Sequence, residues 1–329
     1  MKIAFFDTKP YDREFFDDAN QQYGFDIKYF EPHLTLDSSL LAAGCPAVCV
    51  FVNDQVTPEV INALHQKGTK LIALRCAGYN NVALKAAQHK LRVVRVPQYS
   101  PHAVAEHTVG MMLCLNRKIH HAYLRVKENN FSIVGLLGFD MVGKTAGVVG
   151  CGAIGSVVVQ ILKGFGMRVL GYDVDKKSVT RAGAELVDLP TLYRESDIIS
   201  LHCPLTPDNS HMINNKTISQ MKEGVMIINT GRGGLIQTFD LIEGLKSKKV
   251  GSAGLDVYEE ESHYFYEDYS LSIISDDVLA RLQTFPNVLI TSHQAFFTKE
   301  ALHNIARITL ENIKSFAEGK SLVNEVSFK

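Results

Sequence analysis

The run VVGCGAIG places Gly150, Gly152 and Gly155 between an apolar stretch that reads as a buried strand and the helical pattern SVVVQILKGFG. Each glycine has a separate task in such a turn. Gly150 permits the tight bend, Gly152 lets backbone approach a pyrophosphate, and Gly155 lets helix and strand pack closely, while the helix N-terminus faces the phosphate charge. Eighteen residues beyond Gly155 the next strand pattern, VLGYD, ends in Asp173. A carboxylate there accepts hydrogen bonds from ribose hydroxyls and repels a 2′-phosphate, which favours NAD over NADP. Lys176 and Lys177 nearby soften that preference.

The turn sits inside a longer alternation. IAFFD, DIKYF, AVCVFV, KLIAL and RVVRV read as strands, and DREFFDDANQQYG, TPEVINALHQKG and NVALKAAQHK read as helices. Strands that alternate with helices argue for a parallel sheet with helical crossovers. Pro97 to Pro101 then reads as a hinge, with Ser100 capping a long helix from Pro101 to Arg125. A second alternating series follows through TAGVVG, RVLGYD, DIISLH, VMIINT, SAGLDV and NVLITS. From Thr298 to Glu318, apolar Leu302, Ile305, Ile308, Ile313 and Phe316 predict a closing helix. The expected fold class is α/β, with two doubly wound parallel-sheet domains, a number that the 329 residues accommodate.

Charge and cysteine usage narrow the partners. Lys plus Arg total 34 against 35 Asp plus Glu, so no global attraction to nucleic acid or anionic membrane is expected. Asp7 interrupts the opening where a signal peptide needs its apolar stretch, and the expected location is the cytoplasm. Cys45, Cys49, Cys76, Cys114, Cys151 and Cys203 lack CxxC pairing or a Cys/His ligand spacing, so they read as free core thiols and no metal is expected.

Three residue types near strand ends suggest chemistry. His293 follows NVLITS, Arg232 follows VMIIN among glycines, and the acids Asp256 to Glu261 follow SAGLDV. Carboxyl ends of parallel strands are where ligands sit. A guanidinium can grip a carboxylate through two parallel hydrogen bonds, and one of the acids can fix the tautomer of a histidine. Beside a nicotinamide, such a set can reduce a 2-oxo acid to a 2-hydroxy acid, with histidine as proton donor.

The segments VVGCGAIG, SLHCPLTPDNSHMIN, NTGRGGLI, GLDVYEEE and TSHQAFFT resemble, in order and spacing, the D-isomer-specific 2-hydroxyacid dehydrogenases. LRCAGYNNV and VPQYSPHAVAEHTVGMM place the likeness nearest the lactate-type branch, and it covers almost the whole chain. The resemblance implies a Rossmann cofactor domain, residues 100–297, inserted into a flavodoxin-like substrate domain of residues 1–99 plus 298–329. It implies Arg232 as the substrate-carboxylate residue, His293 as proton donor and Glu261 as its paired acid. Ala77 and Gly78 would offer backbone amides to the substrate carboxylate, and Tyr99 and Phe296 would line its side-chain pocket. Cofactor contacts would come from Gly150, Gly152, Ala153, Ile154, Gly155, Asp173, Cys203, Pro204, Asn209, Thr230, Gly231 and Asp256.

The implied activity is NAD-dependent, reversible reduction of pyruvate to D-lactate in fermentation. The alternatives are another D-2-hydroxy acid, such as D-2-hydroxyisocaproate, or an NAD-sensing scaffold of the corepressor kind. The resemblance also implies closure about Tyr99 and Ala295 to Phe296. It implies a homo-oligomer, dimer or tetramer, paired through the Pro101–Arg125 helix with Val104, Val109, Met112 and Leu115 on it. Two departures stand out: Ser262 replaces a proline common elsewhere and precedes the tyrosine-rich stretch HYFYEDYSLSIISDD, and Gly231 stands where serine is usual.

Overall fold

Short apolar runs become strands and the amphipathic runs between them become crossover helices. The computed structural model describes residues 1–261 and 264–328. Ser262, and His263 at the head of the tyrosine-rich stretch, lie outside the described residues. The chain forms two compact units, one of Met1–Ser100 with Phe297–Lys329 and one of Pro101–Phe296.

The first unit begins with β1 (Lys2–Phe5), α1 (Pro10–Asn20), β2 (Asp26–Tyr29), β3 (Ala47–Val50) and α2 (Pro58–Gln66). It continues with β4 (Leu71–Leu74), α3 (Leu84–Ala87) and β5 (Arg92–Val94). The sheet is parallel in the order β2-β1-β3-β4-β5, which is flavodoxin-like. Every residue of β3 and β4 is buried, as expected of central strands covered on both faces. The helix expected over NVALKAAQHK shrinks to Leu84–Ala87 and has no side-chain cap at its start.

The second unit carries α4 (Pro101–Arg117), α5 (Ile119–Lys127), β6 (Thr145–Val149), α6 (Ala153–Gly164), β7 (Arg168–Tyr172) and α7 (Lys176–Ala182). Then come β8 (Glu185–Leu186), α8 (Leu189–Glu195), β9 (Ile198–Leu201), α9 (Asn215–Gln220) and β10 (Val225–Asn229). The last elements are α10 (Thr238–Lys246), β11 (Val250–Leu255), α11 (Asp277–Gln283) and β12 (Val288–Ile290). The seven strands are parallel in the order β12-β11-β10-β9-β6-β7-β8, the Rossmann arrangement with one further edge strand.

Period-two alternation inside continuous apolar runs divides the core between the two faces of this sheet. Ile198, Met226 and Ile228 pack with Val109 and Met112 of α4, Val158 and Leu162 of α6 and Val179 of α7. Ile199, Ile227 and Leu255 pack with Leu192 of α8, Ile218 of α9, Leu241 of α10 and Leu282 of α11. Burying each such side chain contributes about 1.5–3 kcal/mol.

Two expectations about the crossover helix need correction. It does not run unbroken to Arg125, because Lys118 takes the left-handed conformation at φ 49° and separates α4 from α5. Asn116 explains the stop: its side chain bonds both the N–H and the C=O of Phe139, at 2.8 Å each, and so seats the 137–139 segment on the end of α4. The apolar residues named as a partner-facing stripe also turn inward. Val109, Met112 and Leu115 belong to the core of their own unit, and Val104 is likewise buried.

The chain returns to the first unit through α12 (Lys299–Ala317), which packs on α1 and against β4. Thr298 is its N-cap, with Oγ1 accepting the N–H of Ala301 at 3.2 Å. Thr298→Ala removes that acceptor and should cost about 1 kcal/mol. The measurement is a lowered thermal midpoint for the variant; an unchanged midpoint would show that the cap contributes nothing.

Candidate functional site

The second sheet reverses direction of winding between β6 and β9, which pair directly. Ligands of doubly wound sheets sit outside the strand ends at that point. Gly150 follows β6 with φ 91°, and a Cβ there would lie 2.6 Å from the backbone N of Cys203, just past β9. Only glycine lets the two strand ends approach so closely. A Cβ at Gly155 would meet the carbonyl O of Gly150 at 1.9 Å, whereas a Cβ at Gly152 would meet nothing within 4 Å. The open side at Gly152, the N-cap of α6, is the cradle that a pyrophosphate requires.

Asp173 follows β7, and its carboxylate is oriented by two backbone donors. Oδ2 accepts the N–H of Cys151 at 2.7 Å, and Oδ1 accepts the N–H of Asp175 at 2.8 Å. The acid is thereby tied to the glycine turn, and an acid beside a glycine turn open at Gly152 fits a dinucleotide. Burial pushes the Cys151 thiol up to about 12, assisted by Asp173, and pushes Cys203 up to about 11. Both thiols are uncharged near neutral pH. His202 is also neutral there, since burial lowers it to about 4, and it pairs with Ser200 Oγ at 2.8 Å. Asn209 fastens the loop beyond β9, donating to the carbonyl of Pro204 at 2.7 Å and accepting the N–H of Thr206 at 2.7 Å.

The loop after β10 carries Arg232. Asn229, fully buried, accepts the N–H of Gly231 at 3.0 Å and donates to the carbonyl of Arg232 at 2.8 Å, closing the turn through one side chain. Thr230 bonds Thr108 of α4 through their hydroxyls at 2.9 Å. A Cβ at Gly231 would lie 3.3 Å from the carbonyl of Leu201, so a serine there would require a small local shift. Arg232 Nη1 donates to the Gly231 carbonyl at 2.7 Å, and among the described residues no carboxylate pairs with this guanidinium. Its fork remains uncompensated and suited to an incoming acid.

His293 follows β12 in the left-handed conformation, φ 51°. A non-glycine residue holds such a backbone only where its surroundings fix it. Asp256, past β11 and fully buried, supplies most of that fixation. Its carbonyl accepts the N–H of His293 at 2.7 Å, while its carboxylate accepts the N–H groups of Gln294 and Ala295 at 2.9 Å each and the hydroxyl of Thr291 at 2.5 Å. Tyr266 OH donates to the His293 carbonyl at 3.0 Å. The imidazole itself donates from Nδ1 to Glu261 Oε1 at 2.9 Å, and Glu261 Oε2 accepts the N–H of Tyr258 at 3.0 Å. The structure thus joins His293, Glu261 and Asp256 directly.

Other site residues stand elsewhere. Phe296 is buried at the end of the second unit. Ala77, Gly78 and Tyr99 belong to the first unit, the first two on the loop after β4 and Tyr99 half-buried beyond β5. Sequence reasoning missed Tyr266 and Glu259. Glu259 was not set apart within the acidic run Asp256 to Glu261, yet Oε1 accepts from His211 Nε2 at 2.7 Å and Oε2 from the N–H of Thr238 at 2.9 Å. One signal was available: a Cβ at Gly233 would lie 2.1 Å from the carbonyl carbon of Tyr258, and the glycine beside Arg232 marks that close approach.

A profile described as "D-isomer specific 2-hydroxyacid dehydrogenase, NAD binding domain" matches residues 109–295. The chain belongs to this family. The dehydrogenase is 52% identical to the D-lactate dehydrogenase of Escherichia coli (strain K12) over 328 residues, covering 99% of this chain and 100% of that one. Its fold matches the apo-structure of D-lactate dehydrogenase from Escherichia coli with a TM-score of 0.91 at 50% identity, over 99% and 100% of the two chains. It matches the pyruvate reductase of Chlamydomonas reinhardtii with a TM-score of 0.94 at 43% identity, over 98% of each chain. The cofactor is NAD, and the glycine turn with Asp173 is where the dehydrogenase has the shape and charge for it.

The two glycines of that turn should respond differently to a methyl group. Gly152→Ala should fold with a near-normal thermal midpoint and bind NADH roughly tenfold or more weakly, about 1.4 kcal/mol. Gly155→Ala should instead lose about 1–3 kcal/mol of stability or more, because backbone must move. Fluorescence titration with NADH and thermal unfolding separate the two; unchanged NADH affinity in Gly152→Ala would move the pyrophosphate elsewhere.

Proposed function

We propose that this dehydrogenase reduces pyruvate to D-lactate reversibly, reoxidising NADH in a fermenting cell. The observation that carries the reading is the His293–Glu261 pair at 2.9 Å, set on a backbone held in the left-handed region. The choice of pyruvate leans on the names of the full-length relatives.

The roles follow from the donors. An ionised Glu261 accepts hydrogen bonds and gives none, so Nδ1 carries the ring hydrogen that faces it and Nε2 is left to serve the substrate. Arg232, with no acid of its own, takes the substrate carboxylate, assisted by the N–H groups of Ala77 and Gly78. Bound NADH supplies a hydride from the nicotinamide to the keto carbon. His293 Nε2 gives its proton to the oxygen that becomes the hydroxyl, and in the oxidative direction the same atom takes it back. The family resemblance assigns Tyr99 and Phe296 to the substrate's methyl group. Ala153 and Ile154 at the start of α6, Cys203, Pro204, Asn209, Thr230, Gly231 and Asp256 complete the contacts to the dinucleotide.

The proposed partner, besides the small acid, is a second copy of the chain. Support comes from α5 and the segment after it, where Ile119, Tyr123, Leu124 and Val126 are exposed, as are Phe131, Ile133, Val134 and Leu137. Contiguous apolar exposure of this kind marks an interface. A cytoplasmic setting accords with six free cysteines, four of them buried. Among the described residues, no helix is long and apolar enough to cross a membrane.

The decisive assay is NADH oxidation with pyruvate, 2-oxobutyrate, 2-oxoisocaproate, glyoxylate and hydroxypyruvate, followed by chiral analysis. Pyruvate should lead, with a D product; preference for a branched acid would overturn the substrate, and NADH binding without turnover would overturn the enzyme reading. His293→Gln should lower kcat by about 10²–10⁴-fold with NADH binding unchanged. Near-normal turnover in that variant would remove His293 from the mechanism.

A further inference from the structure

The loop after β4 has its peptide planes set from one side. The carbonyl of Ala77 accepts Nη1–H of Arg95 at 2.7 Å, and the same guanidinium lies 5.2 Å from the ring centroid of Tyr79. One plane earlier, the carbonyl of Cys76 accepts the N–H of Val96 at 3.1 Å. A trans peptide is rigid and points its C=O and the next N–H in opposite directions. Gripping the carbonyl of Ala77 therefore aims the N–H of Gly78 away from Arg95, and gripping the carbonyl of Cys76 aims the N–H of Ala77. The cation also polarises the Ala77–Gly78 peptide and strengthens its N–H as a donor to an anion.

Arg95 is held by the far end of the chain. Its N–H donates to the carbonyl of Asn324 at 3.1 Å, and its carbonyl accepts Nδ2–H of Asn312, on α12, at 2.9 Å. Asn324 Nδ2 donates to Asn312 Oδ1 at 2.9 Å, so the two asparagines clamp Arg95 as a unit. The C-terminal segment is fastened alongside β5, with Glu325 bridging Val94, Val326 N–H donating to the Val93 carbonyl at 2.8 Å, and Arg92 paired with Glu325. A hydrogen bond spanning 217 residues thus ends on the residue that orients the loop.

We infer that Arg95 is a positioning residue for substrate binding, aiming the Ala77 and Gly78 amides at the substrate carboxylate, with the 324–326 segment locking it in place. This rests on the reading of those amides as carboxylate donors. Arg95 touches no reacting atom, so its loss acts on affinity for the 2-oxo acid and leaves the hydride and proton machinery of the other unit alone.

The test is Arg95→Met, which keeps the length of the side chain and removes its donors, with Arg95→Lys as the conservative partner. A misaimed amide can cost up to about 10²-fold, so KM for pyruvate should rise about 10–100-fold in Arg95→Met while kcat stays within about threefold. NADH affinity should be unchanged, Arg95→Lys should recover part of the loss, and amide exchange across residues 74–80 should accelerate. Deleting residues 323–329 should reproduce both effects and stands in if Arg95→Met does not fold. An unchanged KM and exchange rate in a folded variant overturns the inference, as does a parallel loss of kcat, KM and NADH binding. If the wild-type enzyme turns over none of the 2-oxo acids, the functional reading fails, and amide exchange alone decides whether Arg95 orders the loop.

Discussion

The buried carboxylate of Asp256 is the acceptor on which the shape of the His293 loop depends. Three donors converge on it, the hydroxyl of Thr291 and the N–H groups of Gln294 and Ala295, and its own carbonyl takes the N–H of His293. A left-handed histidine costs of order 1–3 kcal/mol and persists only where its neighbours enforce it. Here they do, since the residues on both sides of the Cα are tied to one side chain and Tyr266 holds the carbonyl. The ring can then meet Glu261 without searching rotamers.

The same economy recurs at each strand end. Asn229 closes the Arg232 turn, Asn209 closes the turn beyond β9, and Asp173 is fastened to the glycine turn it serves. Each uses a short polar side chain to satisfy backbone donors and acceptors that the end of a strand leaves open. The strands bring the loops to one end of the sheet because parallel pairing through crossovers allows nothing else. Glycine appears where two loops must nearly touch, at Gly150 against Cys203 and at Gly233 against Tyr258.

Much of this was legible in the sequence because it rests on local pattern. Continuous apolar runs mark β3 and β4, and the turn Gly150 to Gly155 followed by Asp173 marks the cofactor end of the second sheet. Other features were opaque for a common reason: their cause lies far along the chain. Asn116 stops α4 by bonding Phe139, and nothing in the helical periodicity between Pro101 and Arg125 records it. The inward turn of Val109 and Met112 depends on strands β9 and β10 that follow much later. Asp256 was read as a cofactor contact and as one of several acids able to meet a histidine; its hold on the backbone was not visible, because its hydrogen bonds to residues 294 and 295 exist only once β11 and β12 lie side by side. Glu259 was hidden by its acidic neighbours.

Because α12 packs on α1 and β4, the first unit cannot close its core until α12 has left the ribosome. The intervening unit runs from Pro101 to Phe296, 196 residues, and at about 5–20 residues per second its synthesis alone takes roughly 10–40 s. Throughout that interval the nascent sheet of the first unit waits with one helical flank missing and apolar surface uncovered. The second unit is contiguous and can fold as soon as it emerges. Biosynthesis therefore orders the assembly: the dinucleotide-binding half matures first, and the half that carries the Ala77–Gly78 loop is a late product, exposed meanwhile to chaperones and proteases.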